Sequence, residues 1–278
     1  MSEITAHHGL LTDIDLHVDD TGGTGRPVVL IHGWPLSGES WAHQVPAIEA
    51  AGYRVVTYDR RGFGRSDKPR SGYDYDTFAN DLDAVLDALD LRDVTLVGFS
   101  MGGGEVARYL TRHGSDRVRS VVFASAVPPY LAQTDDNPEG PLDDATANGM
   151  KEGLEGDEKA FYHQFTTDFF SVDGTLAVSE ADRAEAERLA NQADHHAALK
   201  SMEAFATTDF REDLPNVAVP TLVIHGDSDA TVPFEGSGKR THEAIAGSEL
   251  HVVSGAPHGV NASHADEFNR VLIDFLQR

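Results

Sequence analysis

The sequence predicts an α/β protein built on a mostly parallel, doubly wound sheet. Short apolar runs rich in β-branched residues alternate with longer amphipathic segments, and polar loops of a few residues join them. Most of these runs lack polar alternation, as expected of strands that helices cover on both faces. The 278 residues suffice for one large domain of this kind, and no Pro- and Ser-rich linker divides the chain.

The charge and composition exclude several classes of function. The formal net charge is −24, from 46 acidic and 22 basic residues, so the surface repels nucleic acids and anionic lipids. The absence of cysteine excludes disulfides, thiolate nucleophiles and cysteine-based metal sites. Residues 1–11 lack a basic region followed by an apolar core, and no apolar run approaches the roughly 18 residues of a membrane span. We expect a soluble, cytoplasmic protein without nucleic-acid or membrane partners, while homo-oligomerisation stays open.

The first part of the chain alternates strands and helices. Residues 13–18 alternate polar and apolar side chains, which predicts a half-buried strand at an antiparallel edge. The other predicted strands are 27–31, 53–58, 94–97 and 118–125, and the predicted helices are 39–51, 75–89 and 105–110. The acids on the side opposite the apolar stripe of helix 75–89 are interpreted as a solvated face: Asp81, Asp83, Asp87 and Asp90.

Residues 127–215 differ in composition from the parts on either side. Strand-like runs are absent, and helix formers dominate 144–154, 157–170, 179–191 and 194–206. We expect this segment to be a helical lid over the active site, inserted between residues 1–126 and 216–278, which form the core. The core resumes with strands at 221–226 and 248–253 and helices at 234–245 and 262–276.

The side chains of the predicted lid leave two interpretations open. Four phenylalanines either line an apolar substrate pocket or form the lid's own core, and the second role is favoured for most of them: Phe161, Phe165, Phe169 and Phe170. His163, His195 and His196 have no spacing typical of metal ligands, so no metal site is predicted.

A serine between two glycines follows the apolar run 94–97. Gly98-Phe99-Ser100-Met101-Gly102 lies where a strand turns into a helix, which places Ser100 in a sparsely allowed backbone conformation. Residues two before and two after it must be small, because neighbouring backbones approach closely there. The hydroxyl then stands clear of the sheet, and the free N–H groups of the helix start face whatever binds beside it.

A second loop contributes to the same predicted site. His32-Gly33-Trp34-Pro35 closes the strand 27–31, and if this strand lies beside that of Ser100, the backbone N–H groups of Trp34 and Met101 converge into an oxyanion hole. Pro35 keeps Trp34 extended. We interpret His32 as a structural histidine. The loop 59–66 is rich in Asp, Arg and Gly, and we expect its charges to satisfy its own backbone rather than bind an anion.

Two further residues complete a nucleophilic site. An acid after a strand orients a catalytic histidine, and Asp229 is preferred over Asp227, which lies nearer the strand end and suits a turn. His258 lies in a loop of turn-forming residues before the last helix, so that its imidazole can reach Ser100. The order nucleophile, acid, histidine is that of the α/β-hydrolase fold.

Five runs of residues carry a resemblance to a known family. They are HGWPLSG (32–38), YDRRGFGRS (58–66), GFSMGGGE (98–105), HGDSDATVP (225–233) and GAPHG (255–259). Together they resemble the cofactor-free bacterial haloperoxidases, which are perhydrolase-esterases of the α/β-hydrolase fold. The resemblance extends over nearly the whole chain and is weakest in the lid. It implies a mostly parallel eight-stranded sheet, a catalytic triad of Ser100, Asp229 and His258, and oxyanion donors at Trp34 and Met101.

The resemblance also implies the reaction. Ser100 attacks an ester or a carboxylic acid, His258 takes its proton, and water or hydrogen peroxide cleaves the acyl-enzyme without a cofactor. Peroxide gives a peracid, which oxidises bromide or chloride in solution. A serine at position 100 argues against haloalkane dehalogenases and epoxide hydrolases, which use aspartate there. A lactonase, an amidase or a hydrolase-like receptor with little turnover would carry the same motifs.

Overall fold

The computed structural model describes residues 2–6 and 13–278, and its centre is one sheet of eight strands. The strands of this sheet are Ser2–Ala6 (β1), Ile14–Asp20 (β2), Pro27–Ile31 (β3), Arg54–Tyr58 (β4), Val94–Phe99 (β5), Val118–Ala124 (β6), Thr221–Gly226 (β9) and Glu249–Val253 (β10). A separate two-stranded ribbon joins Ser171–Val172 (β7) to Thr175–Leu176 (β8).

The order of the strands is β1-β2-β4-β3-β5-β6-β9-β10. The pairs β1–β2 and β2–β4 are antiparallel, and all other neighbours in the sheet are parallel. The predicted α/β class and mostly parallel sheet are therefore confirmed. Since β3, β5, β6, β9 and β10 run in the same direction, the loops after them meet at one edge, where ligands bind in sheets of this kind.

Ten helices are present in the described ranges. They are Val45–Ala50 (α1), Tyr75–Ala88 (α2), Met101–His113 (α3), Asp144–Gly156 (α4), Glu158–Phe169 (α5), Glu180–Ala190 (α6), His195–Thr207 (α7), Gly238–Ala244 (α8), Val260–Ser263 (α9) and Ala265–Leu276 (α10). Among them, none combines the length and the apolar character needed to cross a bilayer. Helices α4 to α7 lie in sequence between β6 and β9, which are neighbours in the sheet.

Of three differences from the predicted elements, two have local causes. β1 was not predicted, and it extends the sheet by pairing along β2. The predicted helix 39–51 is a 3₁₀ turn at Gly38–Trp41 followed by α1. Pro46 explains this interruption, because it has no N–H to continue the helix from Ala42. In the insertion, Asp173 and Gly174 form a positive-φ turn that connects β7 to β8, a ribbon that the sequence analysis missed.

The interpretation of Asp81 as part of a solvated face is wrong. Its side chain is fully buried on α2, and both carboxylate oxygens accept hydrogen bonds from Arg61, at 2.5 and 2.6 Å. Arg61 lies in the loop after β4, so a partner distant in sequence compensates the buried charge. Asp87 and Asp90, by contrast, have exposed side chains, as expected of a solvated face.

Candidate active site

Ser100 occupies the sharp turn between β5 and α3. Its backbone has φ 53° and ψ −119°, a conformation that residues other than glycine rarely adopt. A Cβ atom built on Gly98 would lie 2.5 Å from the Gly102 carbonyl oxygen, and one on Gly102 would lie 2.5 Å from the Ile31 carbonyl oxygen. Only glycine fits at these two positions, so the expected need for small residues around the serine is confirmed.

The three predicted site residues meet at the carboxyl edge of the sheet. His258 Nε2 lies 3.0 Å from Ser100 Oγ, and His258 Nδ1 lies 2.7 Å from Asp229 Oδ2. All three side chains are almost completely buried. This is the hydrogen-bond chain that an activated serine nucleophile requires.

The Asp229 carboxylate has hydrogen-bond partners besides His258. Its Oδ1 accepts the N–H groups of Thr231 at 3.0 Å and Val232 at 2.7 Å. Its Oδ2 lies 3.2 Å from Nε2 of the buried His225. Burial alone would raise the pKa of Asp229, but the charge of His258 and the hydrogen bonds from His225 and His258 outweigh it, so the pKa lies well below its usual range. The carboxylate is therefore ionised when His258 has to carry a proton.

His225 is a contact that the sequence analysis missed. It lies on β9, four residues before Asp229, and its Nε2 also lies 2.8 Å from the Val232 carbonyl oxygen. No periodic pattern marks this contact, because His225 lies near the end of a strand and Asp229 lies in the loop that follows it.

Asp227, the alternative acid, has a different environment. Its carboxylate accepts the Gly255 N–H at 2.6 Å and the Ser254 hydroxyl at 3.1 Å. These bonds connect the loop after β9 to the loop after β10, in keeping with a turn-forming role.

The loop after β3 lies directly against the serine turn. A Cβ atom on Gly33 would come within 3.0 Å of Ser100 Cβ, so the close approach requires glycine here. Among the hydrogen bonds of the described residues, none uses the backbone N–H of Trp34 or Met101 as a donor. Met101 is the first residue of α3, where N–H groups have no partner inside the helix. Both groups are therefore available to an oxygen bound beside Ser100.

His32 is structural, as predicted. It is fully buried, its Nε2 accepts the Arg60 N–H at 2.9 Å, and its Nδ1 lies 2.9 Å from the Gly33 carbonyl oxygen. Burial, together with the nearby charge of Arg60, lowers the pKa of His32 to about 3. The neutral ring therefore connects the loop after β3 to the loop after β4.

A buried ion pair lies behind the serine turn. Arg60 donates from Nε to Glu105 at 2.8 Å and from Nη2 to the His32 carbonyl oxygen at 2.9 Å. Glu105, on α3, also accepts the Tyr58 hydroxyl. The loop 59–66 was expected to satisfy its own backbone. Asp59 does so by accepting the Arg65 N–H at 2.8 Å, whereas Arg60 and Arg61 pair with acids on α3 and α2.

The front of the site is an apolar cavity of about 270 Å³. Ser100 and His258 lie in its wall with Trp34. Phe161 and Phe165 of α5 also line it, whereas Phe169 and Phe170 are buried in the core. The four phenylalanines therefore divide between the two roles considered above.

The inserted helices contact the site through Trp34 and His258. The Trp34 ring packs edge-on against Phe165 of α5, at 5.1 Å between centroids, and against Phe205 of α7, at 5.7 Å. Its Nε1–H donates to the Ala198 carbonyl oxygen of α7 at 2.9 Å. Phe169 packs perpendicular to the His258 ring at 4.8 Å.

The chain is similar to several known proteins. The profile of the α/β-hydrolase fold family matches residues 26–265. The chain is similar to a bromoperoxidase from Bacillus anthracis, with a TM-score of 0.95 and 55% identity over all of both chains. A putative non-heme chloroperoxidase from Synechocystis is 47% identical over 95% of each chain. A bifunctional esterase/perhydrolase from Acinetobacter calcoaceticus is 36% identical over 95% of this chain and 96% of its own.

The strand-turn-helix around Ser100, on this sheet, defines the class of protein. The chain belongs to the α/β-hydrolase family and, within it, to the bacterial non-heme haloperoxidases. The catalytic roles of Ser100, Asp229 and His258, and the oxyanion roles of Trp34 and Met101, remain predictions that the geometry accommodates.

Proposed function

We propose that this protein is a serine esterase that acts on small carboxylic esters through an acyl-enzyme, and that hydrogen peroxide replaces water in the second step to give a peracid. The observation that carries the proposal is the position of His258, within hydrogen-bond distance of both Ser100 Oγ and Asp229. The similarity to proteins named chloroperoxidase, bromoperoxidase and esterase/perhydrolase supports both activities.

In the first step, His258 Nε2 takes the proton of Ser100 Oγ as the oxygen attacks the ester carbonyl carbon. Asp229 stabilises the imidazolium that forms, and the Trp34 and Met101 N–H groups bind the oxyanion. Collapse of the tetrahedral intermediate breaks the bond to the leaving alcohol, or to water when the substrate is a protonated carboxylic acid such as acetic acid, and this leaving group receives the proton from His258. The acyl group remains on Ser100.

In the second step, His258 removes a proton from water or from hydrogen peroxide, and the resulting nucleophile attacks the acyl carbon. Ser100 leaves with the proton that His258 holds. Water yields the carboxylic acid, and peroxide yields the peracid. The peracid then oxidises a halide ion in solution, outside the site.

We also propose that residues 127–215 are a lid on a core formed by 1–126 and 216–278. Supporting this, Phe161 and Phe165 of α5 line the same cavity as Ser100 and His258. The cavity of about 270 Å³ lies at the small end of ligand pockets, which favours small substrates.

The first test is hydrolysis of p-nitrophenyl acetate by the wild type and Ser100→Ala. We expect a burst of nitrophenol and steady turnover with the wild type, and a loss of at least about 10⁴-fold in kcat with Ser100→Ala. Ser125→Ala is a matched control, because Ser125 is also buried at the end of a neighbouring strand and its hydroxyl has no hydrogen-bond partner among the described residues. A single slow turnover by the wild type would instead favour a receptor.

The second activity is tested by bromination that depends on acetate and peroxide. We expect it to depend on Ser100 to the same extent as ester hydrolysis. Bromination that persists in Ser100→Ala would contradict the perhydrolase part of the proposal and leave the esterase part intact.

A further inference from the structure

The inserted helices contain a second cavity of about 410 Å³, between α4 and α7. It lies beside the active-site cavity of about 270 Å³, because three apolar side chains line both: Leu142, Met150 and Phe205. These three residues, here called the shared wall, separate two spaces that would otherwise be continuous.

The residues that line the second cavity are of two kinds. Leu199, Met202 and Ala206 of α7 contribute apolar surface to it. The charged side chains that line it, Lys151, Lys200, Glu155 and Glu203, belong to exposed residues. An apolar space whose charged groups are solvated suits an aliphatic chain rather than a charged or strongly polar group.

The three residues of the shared wall are not equally constrained. Phe205 is buried and packs against Trp34, and the backbone of Leu142 is fixed by hydrogen bonds with Leu131 and Gln133, at 2.9 and 2.8 Å. Met150 is half-buried on α4, a helix whose only buried residue is Leu154. As an unbranched side chain with three rotatable bonds, Met150 is the adaptable part of the wall.

In the proposed reaction, the acyl chain extends on the side of the site that carries the shared wall. In that reaction, the leaving alcohol faces His258, which returns a proton to it, while the carbonyl oxygen faces the Trp34 N–H. Phe205 packs on Trp34, whereas His258 is flanked by Phe99 and Phe169. An acyl chain directed away from His258 therefore runs towards Phe205 and its neighbours in the wall.

We propose that the shared wall sets the longest acyl chain that the enzyme accepts, and that Met150 is its specificity-determining residue. Removing the Met150 side chain joins the two cavities, so that the second cavity binds the distal methylene groups of a medium-chain aliphatic acyl group. This inference rests on the proposed esterase function.

The test compares kcat/KM for p-nitrophenyl acetate, butyrate, octanoate and decanoate. In Met150→Ala, the ratio of octanoate to acetate should rise at least about tenfold, since each methylene group moved from water into an apolar site contributes about fourfold. Met202→Ala is the matched control, because Met202 lines only the second cavity. Its ratio should stay within about twofold of the wild type. A series of alkyl acetates, which lengthens the alcohol instead, should not respond to Met150→Ala.

Two additional variants make the test decisive. In Met150→Ala with Met202→Phe, the second cavity is filled and the gain on octanoate should disappear. Leu142→Ala opens the same wall from another segment, so the test does not depend on how α4 tolerates the change at position 150. If Met150→Ala and Leu142→Ala both hydrolyse p-nitrophenyl acetate but keep the chain-length profile of the wild type, the inference is overturned.

A binding measurement separates this inference from the proposed function. Calorimetry of decanoate with Ser100→Ala, with and without Met150→Ala, needs no turnover, and opening the wall should tighten the Kd about tenfold. If no form of the protein hydrolysed p-nitrophenyl acetate, the esterase proposal would fail. The titration would still show whether the shared wall limits the length of the chain that binds. Equal Kd values would overturn the inference.

Discussion

The two sides of the Ser100 turn are built from opposite kinds of side chain. Behind the turn, Arg60, Glu105, Tyr58 and His32 form a fully buried polar network. In front of it, aromatic side chains of the inserted helices pack around Trp34: Phe161, Phe165 and Phe205. Both sides end on the same loop, since Arg60 contacts His32 and the aromatic rings contact Trp34.

The difference shows how one site can hold its reacting groups in a fixed geometry and still accommodate different substrates. Hydrogen bonds between buried charges are directional, so the polar side holds the loop after β3 in one arrangement. Apolar contacts are non-directional and tolerate rearrangement. We therefore expect changes behind the turn to affect folding and the reaction geometry, and changes in front of it to affect which substrates bind.

The largest effect should come from removing an acid behind the turn. Glu105→Ala leaves the Arg60 charge buried without its carboxylate, which costs about 3–5 kcal/mol in the free energy of unfolding. Chemical denaturation measures this loss. Glu152→Ala, an exposed glutamate on α4, is the control, and it should change stability by less than about 0.5 kcal/mol. Equal costs at the two positions would remove the energetic basis of the comparison.

A smaller effect should appear in the pH dependence of stability. The pKa of His32 is about 3 in the folded protein and about 6.5 when unfolded, so the unfolded chain binds an additional proton between these values. Acidification then favours unfolding, and from pH 6.5 to pH 5 His32 accounts for about 2 kcal/mol of lost stability.

This contribution is isolated by denaturation curves for the wild type and His32→Asn across the same pH range. We expect the variant to lose less stability than the wild type on acidification, although it starts from a lower value. Parallel pH profiles for the two proteins would show that His32 takes up its proton while the protein remains folded. That result would contradict the rigidity inferred for the polar network behind the turn.

The smallest effect should come from the front. Phe165 is only partly buried, so Phe165→Ala should cost about 1–2 kcal/mol of stability, less than a fully buried phenylalanine. Because its ring lines the cavity, we expect KM for p-nitrophenyl butyrate to rise several-fold while kcat changes by less than about threefold. Phe165→Leu should restore most of the KM. A loss in kcat of about 100-fold or more would show that the aromatic side also positions the reacting groups.

Much of the fold was accessible from local patterns. The four inserted helices lie within two residues of their predicted bounds, because an acidic or serine N-cap marks each start: Asp143, Asp157, Ser179 and Asp194. The Ser100 turn was equally recognisable, since two glycines at fixed spacing meet a steric requirement.

Other features depend on partners distant in sequence. Helical spacing places Asp81 beside the apolar stripe of α2, three residues after Phe78 and four before Val85, but its partner Arg61 lies in a loop that no local pattern connects to it. Glu105 follows three glycines, with nothing nearby that indicates Arg60. The second cavity is formed by residues of separate helices, so its volume depends on how the helices pack rather than on either helix sequence.

The indole of Trp34 has a consequence for engineering. Its Nε1–H is bonded to the Ala198 carbonyl oxygen of α7, while its backbone N–H is the proposed oxyanion donor. One residue therefore couples the packing of α7 to the polarisation of the ester carbonyl. Substitutions in α7 that admit bulkier substrates should therefore also slow turnover. Substitutions confined to α4 should widen the range of substrates without this loss.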